Sequence, residues 1–287
     1  MNERPVVAAL LRPVDGEPVP ERYRGVWQRS LLQTPALRDT TTTVFWLQTA
    51  YWHADLRIPA ARPDFLGVSA LADCSAVQLA WLATQQGFAG TTAVTATPEA
   101  EICTWHRVLD FQPPAAGPDA GFMQFTPTRL IETGVHGVYL EHWQKLPGPD
   151  TGLMVLQCLQ EESEMPAVPR LLLVAGDHVM HVRGRAQGWP PGTAPGAALA
   201  AADLVALPAL LDFDISFGRR TADGWEIRHS TLPWQEGIRV RMLLVPFERQ
   251  VSDSGPTRRL PEAGEAVRLS WNGVSSHWTV LEWQAPG

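Results

Sequence analysis

The chain has 287 residues, of which 45% are hydrophobic and only 18% are charged, and it contains 23 glycines and 25 prolines. This composition supplies a core for one large or two ordinary domains, and it excludes a disordered chain and a long-helix bundle. The net charge of −7 argues against a protein that binds nucleic acid through phosphate contacts.

Cysteine content and apolar segments indicate the compartment. Cys74, Cys103 and Cys158 are odd in number and lack metal-ligand or redox spacing. They are typical of buried free thiols in a reducing environment. We find no signal peptide and no apolar segment long enough to span a bilayer. We therefore expect a cytoplasmic protein that binds neither nucleic acid nor membranes.

In the first half, β-branched and aromatic runs predict strands, and apolar residues at helical spacing predict one helix. The predicted strands are Arg24–Gln33, Thr41–Gln48, Tyr51–Ile58, Gly87–Gly90, Ile102–Phe111, Gly121–Thr126, Arg129–Glu132 and Gly137–Leu146. The helix is predicted over Ser69–Gln86. Thr49 and Ala50 are expected to form the turn of a hairpin, so that Trp46 faces His53.

The second half repeats this order of elements, with a predicted helix over Ala197–Leu211. Its predicted strands are Gly152–Gln160, Leu171–Ala175, Val179–Arg183, Ile215–Arg219, Trp225–His229, Arg239–Pro246, Ala266–Trp271 and Trp278–Trp283. The repetition indicates a duplicated unit with its boundary in the turn-forming segment Pro147–Thr151. We expect residues 1–148 (ordered from about residue 22) and residues 149–287 to form two tandem antiparallel β-barrels, each with one helix.

Several short motifs carry a resemblance to a known family. They are Glu132-Thr133-Gly134 with Tyr139, Glu141, Trp143-Gln144 and Pro147; Phe88-Ala89-Gly90-Thr91; and Gly184-Arg185 with Gln187-Gly188-Trp189. In this respect the chain resembles a fungal family, with bacterial relatives, that is named for interacting with a casein-kinase-type protein kinase. Gly25-Val26-Trp27 is also similar to the opening strand of the lipocalin group. The resemblance implies two lipocalin-like barrels and a possible protein partner, but no catalytic residues.

The first predicted hairpin has one polar and one apolar face. Strand alternation places these polar or amphipathic residues on one face: Trp46, Gln48, His53, Asp55 and Arg57. If that face lines the barrel, it could anchor a polar or anionic ligand group, with Asp55 orienting His53 for proton transfer. Because apolar faces normally point to the core, we expect instead that the apolar face lines the barrel and the polar row is solvated.

A second group of candidates lies on other predicted strands. Trp105 and Arg107 share a face and could clamp a carboxylate, while His106 on the opposite face could act as an acid or base. The alternative is a core strand with a satisfied histidine. Arg29, Tyr139 and Glu141 are weaker ligand-binding candidates. An Arg29–Glu141 pair would have a structural role if it bridged the first and last strands of a closed barrel.

Three functional hypotheses remain open. Nucleophile motifs, phosphate loops, dinucleotide fingerprints and zinc spacings are missing from the sequence, and we expect no metal or cofactor. The first hypothesis is a non-catalytic module that binds a small hydrophobic or amphipathic molecule in a barrel. The alternative is a cofactor-independent isomerase, cyclase or hydratase that uses His106, or His53 with Asp55. The third is a protein-interaction scaffold with filled barrels.

Overall fold

The structure is a computed structural model. It describes residues 16–98, 100–113, 117–148, 152–158, 168–189, 193, 205–246, 261–271 and 274–285. The fold is mainly β, as predicted, with two nine-stranded antiparallel sheets and few helices. The chain passes from the first sheet to the second between Lys145 and Leu153.

The first sheet closes into a barrel. Its strands are β1 (Gly25–Gln33), β2 (Arg38–Asp39), β3 (Thr43–Gln48), β4 (Trp52–Ile58), β5 (Gln86–Ala96), β6 (Glu101–Asp110), β7 (Asp119–Phe125), β8 (Leu130–Gly134) and β9 (Leu140–Lys145). Apart from β2, which pairs only with the end of β1, these strands follow one another around the barrel in chain order. Pairing of β1 with β9 closes an eight-stranded antiparallel barrel, which leaves few free sheet edges.

The second sheet curls but is not closed by a strand pairing among the described residues. Its strands are β10 (Leu153–Cys158), β11 (Arg170–Ala175), β12 (His178–Arg183), β13 (Asp214–Thr221), β14 (Gly224–Ser230), β15 (Arg239–Val240), β16 (Met242–Pro246), β17 (Ala266–Trp271) and β18 (Val274–Gln284). Their order is β15-β14-β13-β12-β11-β10-β18-β17-β16. The predicted strand Arg239–Pro246 is divided at Arg241, so the two edge strands are neighbours in the chain.

The first predicted helix is shorter in the structure, and the second falls only partly within the described residues. Helix α1 covers Ala76–Leu82 and is preceded by a 3-10 turn at Leu71–Asp73, so the prediction of Ser69–Gln86 was too long. The Ser75 hydroxyl accepts a hydrogen bond from the Gln78 backbone N–H, which fixes the start of α1. Helix α2 covers Leu207–Leu211, and residues 197–204 of the predicted second helix lie outside the described residues. Neither α-helix has the length and hydropathy needed to cross a membrane.

The first hairpin has a different register from the predicted one. Thr49 pairs with Trp52 across the turn, and Trp46 lies opposite Asp55 rather than His53. The register is therefore shifted by two residues. Because side chains alternate with a period of two, this shift leaves each side chain on its predicted face.

The polar face of the first hairpin lines the barrel, contrary to our expectation. The barrel interior contains a buried aromatic and apolar cluster that includes Trp27, Val44, Trp46, Phe88, Cys103, Trp105, Met123, Leu130 and Trp143. The apolar face, with Phe45, Leu47 and Leu56, instead packs against the second sheet. The expectation was wrong because the hairpin is buried on both faces, by the lumen on one side and by the second sheet on the other.

Aromatic stacking and a buried carboxylate join the two sheets. The rings of Phe45 and Phe217 stack with centroids 4.2 Å apart. At the turn of the first hairpin, Glu282 on β18 accepts hydrogen bonds from the Thr49 hydroxyl at 2.7 Å and the Ala50 N–H at 2.8 Å. Both helices contribute side chains to the same interface, so they brace the sheets from outside the barrel.

Candidate functional site

A cavity of about 230 Å³ lies inside the closed barrel, at the end where β4 and β6 terminate and β5 and β7 begin. Several predicted site residues line this cavity: Trp46, Asp55, Arg57, Trp105, Arg107, Tyr139 and Glu141. Side chains that we had not predicted as site residues complete the wall: Leu32, Thr34, Phe88, Asp119, Glu132 and Trp143. The cavity therefore combines aromatic rings with ionisable groups.

Both arginines of the cavity wall are paired with carboxylates. Arg57 donates to Asp55, with Nε 2.7 Å from Oδ1. Arg107 donates from Nη2 to Asp119 at 2.6 Å and from Nη1 to Asp110 at 3.0 Å. The Arg107 guanidinium also lies 3.6 Å from the centroid of the Phe88 ring. These contacts hold both guanidinium groups against the wall.

Arg29 and Glu141 form an ion pair across the barrel closure. Arg29 on β1 donates from Nη1 to Glu141 Oε1 on β9 at 2.7 Å, and both side chains are buried. Arg29 also contacts Asp39 on β2 at 3.2 Å. Arg29 does not line the cavity. Its role is therefore the structural one expected from the sequence for an Arg29–Glu141 pair that bridges the first and last strands. Glu141 lines the cavity and pairs with Arg29 behind the wall.

Glu132 is a buried carboxyl group that we had not identified as a site residue. It lies directly opposite Glu141 in the β8–β9 register. The Tyr139 hydroxyl donates to Glu132 Oε1 at 2.8 Å, and the Trp143 indole N–H donates to Oε2 at 3.0 Å. Gly121 on β7 makes room for this carboxyl, because an added Cβ there would lie 2.7 Å from Glu132 Cγ.

The environment of Glu132 favours its neutral form. Burial, and then the negative charge of Glu141, raise the pKa of Glu132 from 4.5 to about 8, although the Tyr139 hydrogen bond and the more distant Arg57 act in the opposite direction. Two carboxylates opposite each other repel, so one of them tends to retain its proton. Glu141 has a guanidinium partner, whereas Glu132 accepts hydrogen bonds only from uncharged donors in the part of the chain that the structure describes. At neutral pH the cavity therefore contains a carboxylic acid beside ion-paired carboxylates.

His53 and Gln48 belong to a buried layer next to the cavity. His53 Nδ1 lies 2.9 Å from the Thr92 hydroxyl, which donates to Gln48 Oε1 at 2.8 Å. Since that hydroxyl has only one proton, it must accept from Nδ1–H. Burial lowers the pKa of His53 to about 3, so this histidine is neutral.

The proposed pairing of His53 with Asp55 is not present. The Nδ1 of His53 bonds to Thr92, its Nε2 is buried without a hydrogen-bond partner among the described residues, and Asp55 accepts from Arg57. Neither His53 nor Gln48 lines the cavity. The reason is the strand spacing, because residues two apart on β4 point the same way but occupy successive layers of the barrel.

His106 is on the outer surface of the barrel. Its side chain is exposed and lines a groove of about 530 Å³ between the barrel and the second sheet, together with Arg185 and Trp189. Trp105, Arg107 and Asp119 line both this groove and the barrel cavity. Strand alternation along β6 predicted that His106 lies on the other face of the strand from Trp105 and Arg107, and the structure has this arrangement. His106 and His53 therefore do not converge on one reacting centre.

Asp119 and Glu132 are the ionisable cavity residues that sequence reasoning missed. The alternation of β8 places Glu132 on the same face as buried Leu130, which is a signal that a carboxyl points inward. For Asp119, which begins β7, the sequence offers no comparable signal. Among the described residues, no group of three or more His, Cys, Asp and Glu side chains is arranged to hold a metal ion.

Comparison with known proteins supplies no functional assignment. The chain matches no protein-family model, no curated protein and no solved structure.

Proposed function

We propose that the closed barrel is a binding module for a small amphipathic molecule, which enters at the end of the barrel lined by Arg107 and Thr34. The observation that carries this proposal is the cavity itself. A barrel built only as a scaffold would fill this space with apolar side chains, whereas here aromatic rings and ionisable groups surround a volume of about 230 Å³. Ligand pockets typically combine apolar walls with a few placed polar groups.

The size and wall of the cavity constrain the ligand. Its volume lies below the range of about 300–1,000 Å³ that is usual for drug-sized ligands, so we expect a molecule of one or two rings. The rings of Trp46, Trp105 and Phe88 offer apolar contact, and the paired charges offer hydrogen bonds. From the resemblance to the fungal barrel family we propose further that the chain is a tandem duplication of lipocalin-like units and that it functions in the cytoplasm.

Catalysis is the second candidate, and one observation favours it. Glu132 and Glu141 are carboxyl groups directly opposite each other at the cavity, one neutral and one ion-paired, and such pairs can serve as acid and base. The catalytic residues expected from the sequence do not converge, because His106 is outside the barrel, His53 is sealed beneath the cavity, and Asp55 lines the cavity but is paired with Arg57. Binding is therefore the better-supported function.

Native mass spectrometry of the protein purified from its source would test the proposal. We expect the wild-type protein to carry a small molecule as a discrete added mass. Leu32→Trp, which places a larger ring in the cavity, should abolish the added mass. Val138→Trp is the matched control, because Val138 is 79% exposed and does not line the cavity. An added mass that Leu32→Trp retains would place the ligand elsewhere and contradict the proposal, as would a wild-type protein that carries none.

A further inference from the structure

The carboxyl groups of the barrel cavity differ in how their charge is balanced. Asp55 is paired with Arg57, Asp119 with Arg107, and Glu141 with Arg29, each at 2.6–2.7 Å. Glu132 is the exception: no Arg, Lys or His side chain among the described residues forms an ion pair with it. Its two oxygens accept only from the uncharged Tyr139 hydroxyl and Trp143 indole.

This imbalance has a physical cost that a ligand can remove. An ionised carboxylate buried without a cation is strongly disfavoured, so Glu132 either holds its proton or receives a positive charge from outside the chain. Five titratable or charged groups are close to Glu132. They are Glu141 on β9, Tyr139 just before β9, Arg57 on β4, Asp119 on β7 and Cys103 on β6. Of these groups Arg57 is the cation, and it is already bound to Asp55. Arg107, the other cation that lines the cavity, is bound to Asp119 and Asp110.

We propose that the ligand of the barrel is a small organic cation, an amine on an aromatic or other apolar body, whose ammonium group pairs with Glu132. This inference rests on the proposed binding function and specifies its ligand class. On binding, the Glu132 carboxylic acid loses its proton to solvent and the resulting carboxylate accepts hydrogen bonds from the ammonium. Each ammonium ion that binds therefore displaces one proton from a neutral Glu132 to solvent, and the net charge of the site is unchanged.

The aromatic lining of the cavity favours a cation over an anion. Trp143, Tyr139 and Trp46 line the cavity, and the negative faces of such rings attract ammonium groups. An anion would need an unpaired guanidinium. Arg57 and Arg107 already bind carboxylates and lie over the Phe88 ring. The anionic ligand group considered from the sequence is therefore disfavoured.

Isothermal titration calorimetry with three matched probes tests the proposal. Tryptamine, tryptophol and indole-3-acetate share one ring system and carry an ammonium, a hydroxyl and a carboxylate. At pH 7 we expect tryptamine to bind at least tenfold more tightly than the other two. Binding in two buffers of different ionisation enthalpy should show release of close to one proton.

Variants separate the charge effect from a loss of structure. Glu132→Gln should weaken tryptamine binding at least tenfold and leave tryptophol binding unchanged. Tyr139→Phe keeps the ring and removes one donor to Glu132, so it should weaken tryptamine binding by a smaller factor. It provides the test of Glu132 if Glu132→Gln does not fold. Glu226→Gln is the control, because Glu226 lies on the second sheet and pairs with Arg228.

The outcomes distinguish this inference from the proposed function. Tryptophol or indole-3-acetate binding as tightly as tryptamine would overturn the amine assignment and leave cavity binding intact. Unchanged tryptamine affinity in both Glu132→Gln and Tyr139→Phe would overturn the role of Glu132. Failure of all three probes to bind would contradict the amine assignment, and the proposed function would then be judged by the mass-spectrometry result.

Discussion

The pH dependence of stability provides a test of the buried acid that needs no ligand. In the folded protein the pKa of Glu132 is raised from 4.5 to about 8. Between these two pH values the unfolded chain has released this proton and the folded protein still holds it. The contribution of Glu132 to stability is therefore complete below pH 4.5 and is lost progressively as the pH rises to about 8.

The size of this effect follows from the shift. One pKa unit corresponds to about 1.36 kcal/mol, so a shift from 4.5 to about 8 corresponds to about 5 kcal/mol. Relaxation and water penetration reduce such penalties, and we expect at least about 2 kcal/mol to be measurable. Glu132→Gln has no proton to lose, and its amide can donate to Tyr139 while its oxygen accepts from Trp143.

Urea unfolding followed by tryptophan fluorescence at pH 5, 6, 7 and 8 measures this effect. The difference in unfolding free energy, Glu132→Gln minus wild type, should rise by at least about 2 kcal/mol across this range. Glu226→Gln, on the second sheet, should show a constant difference. A constant difference for Glu132→Gln as well would show that Glu132 is ionised in the folded protein, and the argument for a neutral acid would fail.

Three further changes test the surrounding structure. Glu282→Ala removes the acceptor of the Thr49 and Ala50 donors between the sheets and should lower the free energy of unfolding in urea by about 2–4 kcal/mol. Gly90→Ala should destabilise by about 2–3 kcal/mol in the same assay, because its Cβ would clash with the backbone oxygen of His106 on β6. The pKa of His53 is lowered from 6.5 to about 3, so the wild-type protein should lose stability as the pH falls below 6.5. His53→Gln should lose less stability over the same range. Parallel plots of unfolding free energy against pH for the two proteins would contradict this.

The first hairpin illustrates what the sequence could and could not predict. Alternation assigned Trp46, Asp55 and Arg57 to one face, and the two-residue register shift did not change this because the period of a strand is two. Which face pointed inward depended on the second sheet. That sheet buries the apolar face of the hairpin, and a local pattern contains no information about so distant a partner.

Glu132 shows a second limit of local patterns. Its inward direction follows from strand alternation, but its position opposite Glu141 depends on the β8–β9 register and on the space left by Gly121. The pairing of Arg29 with Glu141 was anticipated for a closed barrel, and it leaves Glu132 as the carboxyl without a cation. Which carboxyl group lacks a cationic partner depends on the contacts made in the folded protein. Composition and residue spacing do not specify those contacts.

A crystal structure of the protein with tryptamine would test the central claim most directly. We expect the indole ring among the aromatic side chains of the closed barrel and the ammonium nitrogen about 2.7–2.9 Å from a Glu132 oxygen. Tryptamine bound instead in the groove beside Arg185 and His106, or an unchanged barrel cavity at saturating tryptamine, would contradict the account.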